Sequence, residues 1–401
     1  MLKKDRLIET LRCFSEIGKD GEHGITRIAF SDELFKAAEK LVILSKSMKY
    51  CETFFDKTGS FHIVLPSDTG CEDEIVFGSH YDTVPNGGLY DGAAGIAAGM
   101  EVLMHIIEEK ETFNHKLHLI AFNAEEAGPL GGTYSSRSMI GEIPYNEDSV
   151  NLFERKRRQS EILGETNYRE WNPEKTKTFL EMHIEQGGIL DKENLDIGVV
   201  TGIFGIRRYE IICKGESNHA GTTPMNQRKD PMVAAAGIIT YINNKAREYG
   251  DKLVATVGKV DVKPNLESII PDSVEMVMEM RSLDNQAMDC LYADVCKYAA
   301  NIENVEVESR LKVEKPPLLI DAEICNLESA ACEDEKLKYK RMPSGAGHDA
   351  KSFAKAGFPT GMIFVPSING KSHTPAEYTT EEQLYLGTKV LYDTIKLLDK
   401  K

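Results

Sequence analysis

The chain has no apolar run near the ~20 residues that a membrane-spanning helix needs. Its first residues, Met1-Leu2-Lys3-Lys4-Asp5-Arg6, lack the long apolar core of a signal peptide. Positive charge is in deficit: the formal net charge is −16, which argues against a nucleic-acid partner and against an anionic membrane surface. The eight cysteines contain no C-x-x-C pair and read as reduced thiols of a cytoplasmic protein. Neither an internal repeat nor a low-complexity segment is present. What remains is an acidic chain of 401 residues, long enough for two domains with a core each.

Apolar stretches alternate in kind along the first part of the chain. Helical spacing of Leu7, Ile8, Leu11 and Phe14, and a helix from Ser31 to about Ser47, make residues 1–60 mainly helical. Strands are expected at Phe61 to Leu65, Ile75 to Phe77 and Leu117 to Phe122, with a helix from Ala93 to Ile107 between the last two. Such alternation implies a mostly parallel sheet covered by helices, with sites beyond the carboxyl ends of strands. Residues 151–177 read as charged and irregular, with Arg155 to Arg158 on a solvated helix face. A short strand then ends at His183. From about Gly202 the pattern shifts. Alternating strands at 208–214, 253–260 and 273–281, with helices at 230–249 and 285–300, suggest an inserted two-layer α+β domain. The boundaries are then 1–205 and 318–401 for a discontinuous first domain, and 206–317 for the insertion.

Residues with metal-ligand chemistry fall at the ends of the apolar strands. His80 and Asp82 are two apart, on one side of an extended backbone, so Asp82 could accept the second ring N–H of a ligating His80. Asp91 sits in a glycine-rich loop that an ion can approach closely. Glu125 and Glu126 follow another strand; one carboxylate could bind metal while the other stays free as a base. A lone histidine is ordinarily structural, and His23, His62, His105, His115 and His118 are read so. His80, Asp91, Glu126, His183 and His373 in sequence form a mixed N/O set suited to Zn, Mn, Co or Ni.

Taken together, GSHYDTVPNGGLYDGAAG (78–95), the Glu125-Glu126 pair, MHIEQGGIL (182–190), GESNHAGTTPM (215–225), SGAGHDA (344–350) and SHTPAEY (372–378) are specific. The chain resembles the hydantoinase/carbamoylase amidases: N-carbamoyl-L-amino acid hydrolases, allantoate amidohydrolases and bacterial β-ureidopropionases, within the co-catalytic metallopeptidase superfamily. The resemblance implies two divalent ions per chain, Zn foremost. His80 and His183 would hold one, Glu126 and His373 the other, with Asp91 bridging and Glu125 as general base. It implies a lid and dimerisation role for the insertion, hence a homodimer. His219 would reach a partner subunit's site and polarise the scissile carbonyl. Gln186 and Arg281 match substrate contacts, Arg281 as a fork for a carboxylate. The backbone of Gly345, Ala346 and Gly347, with His348, would line the same pocket.

Two departures from the family leave the substrate open. Ser268 stands where relatives carry an asparagine, with Asn265 as a possible substitute. After Glu126 the chain reads Ala127-Gly128-Pro129-Leu130-Gly131-Gly132 instead of Glu-Gly-Ser-Arg-Phe. The expected activity is hydrolysis of a linear ureido compound bearing a carboxylate, first an N-carbamoyl-L-amino acid, then allantoate, then an N-acyl amino acid or dipeptide. A non-catalytic binding protein on this fold would be expected to lose the base or a ligand, and none is missing here.

Overall fold

The structure, a computed structural model, describes residues 1–19, 24–126 and 128–401. His23 and Ala127 lie outside the described residues. The chain divides into two compact units, Met1–Thr201 with Ile320–Lys401, and Gly202–Leu319. Each has its own apolar core.

The larger unit is built on a mixed sheet whose centre is parallel. Glu74–His80 pairs in parallel with Lys116–Phe122 on one side and Thr176–Ile184 on the other, and Thr360–Val365 pairs in parallel with Thr176–Ile184. Antiparallel strands extend it outward, with Phe61–Leu65 against Lys116–Phe122, and Glu52–Phe55 against Phe61–Leu65. The central strands are buried along almost their whole length, because helices cover both faces of a parallel sheet. Helix Ala93–Glu109 lies against the sheet through a run of buried alanines, and Lys4–Ser15 and Glu381–Asp399 pack on it. Ser31 caps Asp32–Ser45 through the Leu34 N–H, as the sequence predicts.

Two stretches differ from the sequence reading. Residues 147–159 form a regular helix, capped by Asn146, with only Phe153 fully buried. A helix anchored by one apolar residue carries almost no periodic signal. Glu52–Phe55 is a strand within the segment read as helical.

The smaller unit is a four-stranded antiparallel sheet in the order Leu253–Lys263, Ser273–Ser282, Gly205–Lys214, Glu306–Lys315. Val274, Met276, Met278 and Met280 alternate inward and meet helices Pro231–Glu248 and Asn285–Ala300. The edge strand Glu306–Lys315 is highly charged and mostly exposed, so no apolar alternation announced it, and its charges suit an open edge. Among the described residues no helix is long and apolar enough to cross a membrane.

Candidate metal centre

All the expected ligands lie in the larger unit, at the carboxyl ends of its parallel strands. His80 ends its strand, and His183 sits one residue before the end of Thr176–Ile184. Glu125 and Glu126 follow Lys116–Phe122, and His373 follows Thr360–Val365. Asp91 precedes helix Ala93–Glu109. Between them Gly92 holds φ +66°, and a Cβ there would stand 2.5 Å from the His80 ring, so only glycine lets the loop close on it.

Asp91 is the centre of the arrangement, and its two oxygens face different partners. Oδ1 is 3.2 Å from His80 Nε2 and 3.3 Å from His183 Nε2. Oδ2 is 3.6 Å from His373 Nε2, and His373 Nε2 is 3.5 Å from Glu126 Oε1. Among the described residues four sets of donor atoms converge, and two of them meet at Asp91: His80, Asp91 and His183; and Asp91, Glu126 and His373. The others are His80, Glu125 and Glu126, and Glu181, His183 and His348. Both buried rings are held with Nε2 inward. His183 Nδ1 donates to the Ile184 carbonyl at 2.9 Å, and His80 Nδ1 to the Asp82 carbonyl at 3.1 Å. Such bonds fix the tautomer that leaves Nε2 for an ion.

The donor set fits a cation on two counts. Among the described residues, Glu126 Oε1 is buried without a hydrogen-bond partner, an arrangement that costs free energy unless something else satisfies it. The carboxylates also crowd one another. Burial pushes Glu126 up to about 7, reinforced by Asp91 and Asp82 against the pull of His80. Burial likewise raises Glu125 well above the carboxylate range, with Asp349, Glu126 and Asp82 adding to it. Burial opposes charge on His80, yet Asp91, Glu125 and Asp82 together raise it well above the usual imidazole value. Acidic groups crowded so closely that they resist ionising together are what a divalent ion would relieve.

Asp82 differs in detail from the sequence expectation. The strand ends at His80, so its carboxylate turns away from the imidazole, with Oδ1 3.6 Å from Nδ1. Instead Oδ1 accepts the Glu125 N–H at 3.0 Å and Oδ2 the Glu126 N–H at 3.1 Å. Glu125 Oε2 stands 3.9 Å from His80 Nε2. Gln186, at φ +60°, donates through Nε2 to Asp91 Oδ2 at 2.8 Å. His348 is buried edge-on to the His183 ring, with centroids 4.7 Å apart. Its Nε2 is 3.0 Å from Ser344 Oγ, which also bonds both the N–H and the carbonyl of Ala346. The Gly345-Ala346-Gly347 turn is thereby tied to the ring that braces His183.

The remaining expected residues belong to the smaller unit. A two-stranded ribbon sets His219 opposite Ile269, and the Ser268 carbonyl accepts the Ala220 N–H at 2.9 Å. Ser268 and His219 are thus neighbours. His219 Nδ1 accepts the N–H groups of Gly221 at 2.9 Å and Thr222 at 3.2 Å, which puts the ring proton on Nε2. Asn265 takes φ +57°. Arg281 Nε donates to Glu279 Oε1 at 2.8 Å.

Three residues near the centre escaped the sequence reading. Arg27 is fully buried; it donates to the carbonyls of Tyr81, Phe14 and Ile17 and so pins the chain between His80 and Asp82. No local pattern marks it. Ser372 and Glu377 stand inside the SHTPAEY motif, which drew attention only through His373.

Comparisons with known proteins place the chain in a family. The family description Peptidase family M20/M25/M40 matches residues 76–397. The N-carbamoyl-L-amino acid amidohydrolase of Geobacillus stearothermophilus is 32% identical, over 98% of each chain. The allantoate amidohydrolase of Escherichia coli is 33% identical, over 96% of this chain and 95% of that one. A solved amidase of the hydantoinase/carbamoylase family from Burkholderia multivorans superposes with a TM-score of 0.88 at 28% identity, covering 98% of this chain and 97% of its own. With a family pattern over most of its length and relatives above 30% identity from end to end, this chain belongs to the M20/M25/M40 peptidase family, among its hydantoinase/carbamoylase amidases.

Proposed function

We propose that this amidohydrolase cleaves the carbamoyl C–N bond of an N-carbamoyl-L-amino acid, using two divalent ions per chain. The observation that carries the reading is the division of Asp91, with Oδ1 toward His80 and His183 and Oδ2 toward His373, beside a Glu125 that belongs to neither donor set through Asp91. His80, His183 and Asp91 would hold one ion, and Asp91, Glu126 and His373 the other; Zn, Mn, Co and Ni all suit these donors. Bound there, such ions would polarise the ureido carbonyl and acidify a water.

The chain's own residues supply the proton handling and the positioning. Glu125 takes the proton of the attacking water as its oxygen adds to the ureido carbon. It then delivers that proton to the amino-acid nitrogen as the C–N bond breaks. The products are the amino acid and carbamate, which decomposes to ammonia and carbon dioxide. Glu125 Oε2, 3.9 Å from His80 Nε2, lies beside the donor atoms where such a water would be held. Asp82 fixes Glu125 through its backbone N–H.

In the smaller unit the Nε2 proton of His219 suits a donor to the developing oxyanion. Arg281, its guanidinium oriented by Glu279, suits a substrate carboxylate. We assign His219 to the partner's site in a homodimer, with the insertion as the dimerisation unit; the family resemblance supports this reading.

Allantoate is the second reading. It is the substrate in the name of the Escherichia coli relative, and Ser268 stands at a position where a substrate-contacting asparagine is expected. The test is ammonia release from N-carbamoyl-L-amino acids, N-carbamoyl-β-alanine and allantoate, by metal-stripped protein reloaded with Zn, Mn, Co or Ni. Turnover of a carbamoyl amino acid at least tenfold above allantoate supports the first reading. The reverse order replaces it, and undiminished turnover by metal-free protein overturns both.

A further inference from the structure

Glu377 is almost wholly buried, and its carboxylate reaches the backbone of the Asp91 loop and the hydroxyl beside His373. Its Oε1 accepts the backbone N–H of Tyr90 at 2.8 Å and of Asp91 at 3.0 Å. Its Oε2 accepts the Ser372 hydroxyl at 3.3 Å, and the same hydroxyl is 2.9 Å from Asp91 Oδ2. The carboxylate is wedged against the Asp91 loop so closely that a Cβ on Gly88 would lie 2.2 Å from Oε1.

Two loops meet in this side chain. One carries Asp91, and the other, 371–377, carries His373. His373 has the least support of the five ligand candidates. Its side chain is 48% exposed, and its backbone is at φ +56°, a region that a non-glycine residue occupies only when its surroundings hold it there. Ser372, the preceding residue, is the one that Glu377 and Asp91 share. The contact falls on Oδ2, the oxygen facing His373, and not on Oδ1, which faces His80 and His183.

We propose that Glu377 is a positioning residue that locks the His373 loop to Asp91 and so sets affinity for one ion of the pair, that of Asp91, Glu126 and His373. The inference rests on the two-ion reading above. Partners behind a ligand shell typically change metal affinity by about 10–100-fold when removed. The Ser372 contact on Oδ2 and the hold on the His373 loop weight that loss toward the ion of Asp91, Glu126 and His373. Charge is not required of Glu377, only acceptor geometry. A glutamine can keep its Oε1 on the Tyr90 and Asp91 N–H groups and turn its amide toward the Ser372 oxygen, which still donates to Asp91.

The experiment is calorimetric titration of metal-stripped protein with Co²⁺ alone, together with the visible absorption of bound Co²⁺. Wild type is expected to take up two equivalents. Glu377→Ala should bind one as wild type does and the other about 10–100-fold more weakly, with the second set of absorption bands appearing only at higher Co²⁺. Glu377→Gln should restore the second affinity to within a few-fold. Ser372→Ala removes only the shared hydroxyl, and should weaken the same ion by a smaller factor. It carries the test if Glu377→Ala does not fold. Wild-type uptake of fewer than two equivalents overturns the two-ion reading and the inference with it. Two normal equivalents in wild type overturn the inference alone if any of three results follows. These are unchanged binding by Glu377→Ala, unchanged binding by Ser372→Ala, or a Glu377→Gln as impaired as the alanine variant.

Discussion

The carboxylate of Asp82 accepts the backbone N–H of Glu125 at 3.0 Å. Its other oxygen takes the N–H of Glu126, so one buried side chain sets the height of both acidic residues. The preceding Ala124, at φ +60°, makes the turn that presents them, a conformation a side chain other than glycine keeps only under such restraint.

Removing that restraint should act on catalysis more than on substrate binding. Asp82→Ala leaves two N–H groups without acceptors, and Asp82→Asn leaves one facing an amide donor. Both variants should lose about 10–100-fold in kcat with a small change in KM, and the alanine variant should also hold metal less well. Steady-state kinetics beside elemental analysis of the purified proteins checks this. An Asp82→Asn variant with unchanged kcat would show that the loop holds itself.

The candidate ligand types were legible because most stand at or just after the end of an apolar strand or in a glycine-rich turn, and such punctuation is local. His80, Glu125 and His183 needed only the rule that parallel sheets bind at their carboxyl ends. The direction of the Asp82 carboxylate was not legible, since it depends on the strand stopping at His80 rather than two residues later. Arg27 and Glu377 were hidden for another reason. Each acts through backbone groups more than fifty residues away, Tyr81 for Arg27 and Tyr90 for Glu377, and sequence spacing does not reveal such contacts. The helix at 147–159 shows the same limit at low hydrophobicity, where a single buried phenylalanine replaces a stripe.

Glu125→Gln keeps the size of the side chain and removes its ability to take a proton. Metal content and KM should stay near wild type while kcat falls about 10²–10⁴-fold. The backbone bond to Asp82 does not involve the side chain, so the loop should be undisturbed. If the variant instead loses metal while keeping its rate per bound ion, Glu125 is a ligand and Glu126 the base.

The partner-site role of His219 predicts complementation. His219→Ala alone should lower kcat by about 10²–10³-fold, the effect of removing one oxyanion donor. Mixed with Glu125→Gln chains, it should recover activity, because a heterodimer then holds one site with both residues intact. Exchange of differently tagged chains must be demonstrated in the same sample. Exchange without recovered activity assigns His219 to its own chain.

Glu328 gives a pH dependence that has nothing to do with catalysis. It lies on helix Ala322–Asp334, fully buried, and among the described residues neither of its oxygens has a hydrogen bond of ordinary geometry. Burial pushes its carboxyl up to about 8, against weaker pulls from the Met362 N–H and the Arg341 guanidinium. The folded protein therefore holds this proton more tightly than the unfolded chain, where a glutamate releases it near 4.5. Stability is greatest, so far as this group is concerned, below about 4.5. It falls as pH rises toward about 8, because the unfolded chain gains by ionising while the folded one does not. Above about 8 the folded chain carries a buried charge, and the destabilisation levels off at a few kcal/mol. Glu328→Gln keeps the volume and cannot ionise. The difference in unfolding free energy between wild type and Glu328→Gln, measured by urea denaturation at saturating metal, should shift steadily in favour of the variant from pH 5 to pH 8. Other titrating groups contribute equally to both proteins and cancel. A difference that stays flat across that range would mean that Glu328 ionises in the fold as it does in water, and that its burial is relieved by solvent or by local opening of the helix.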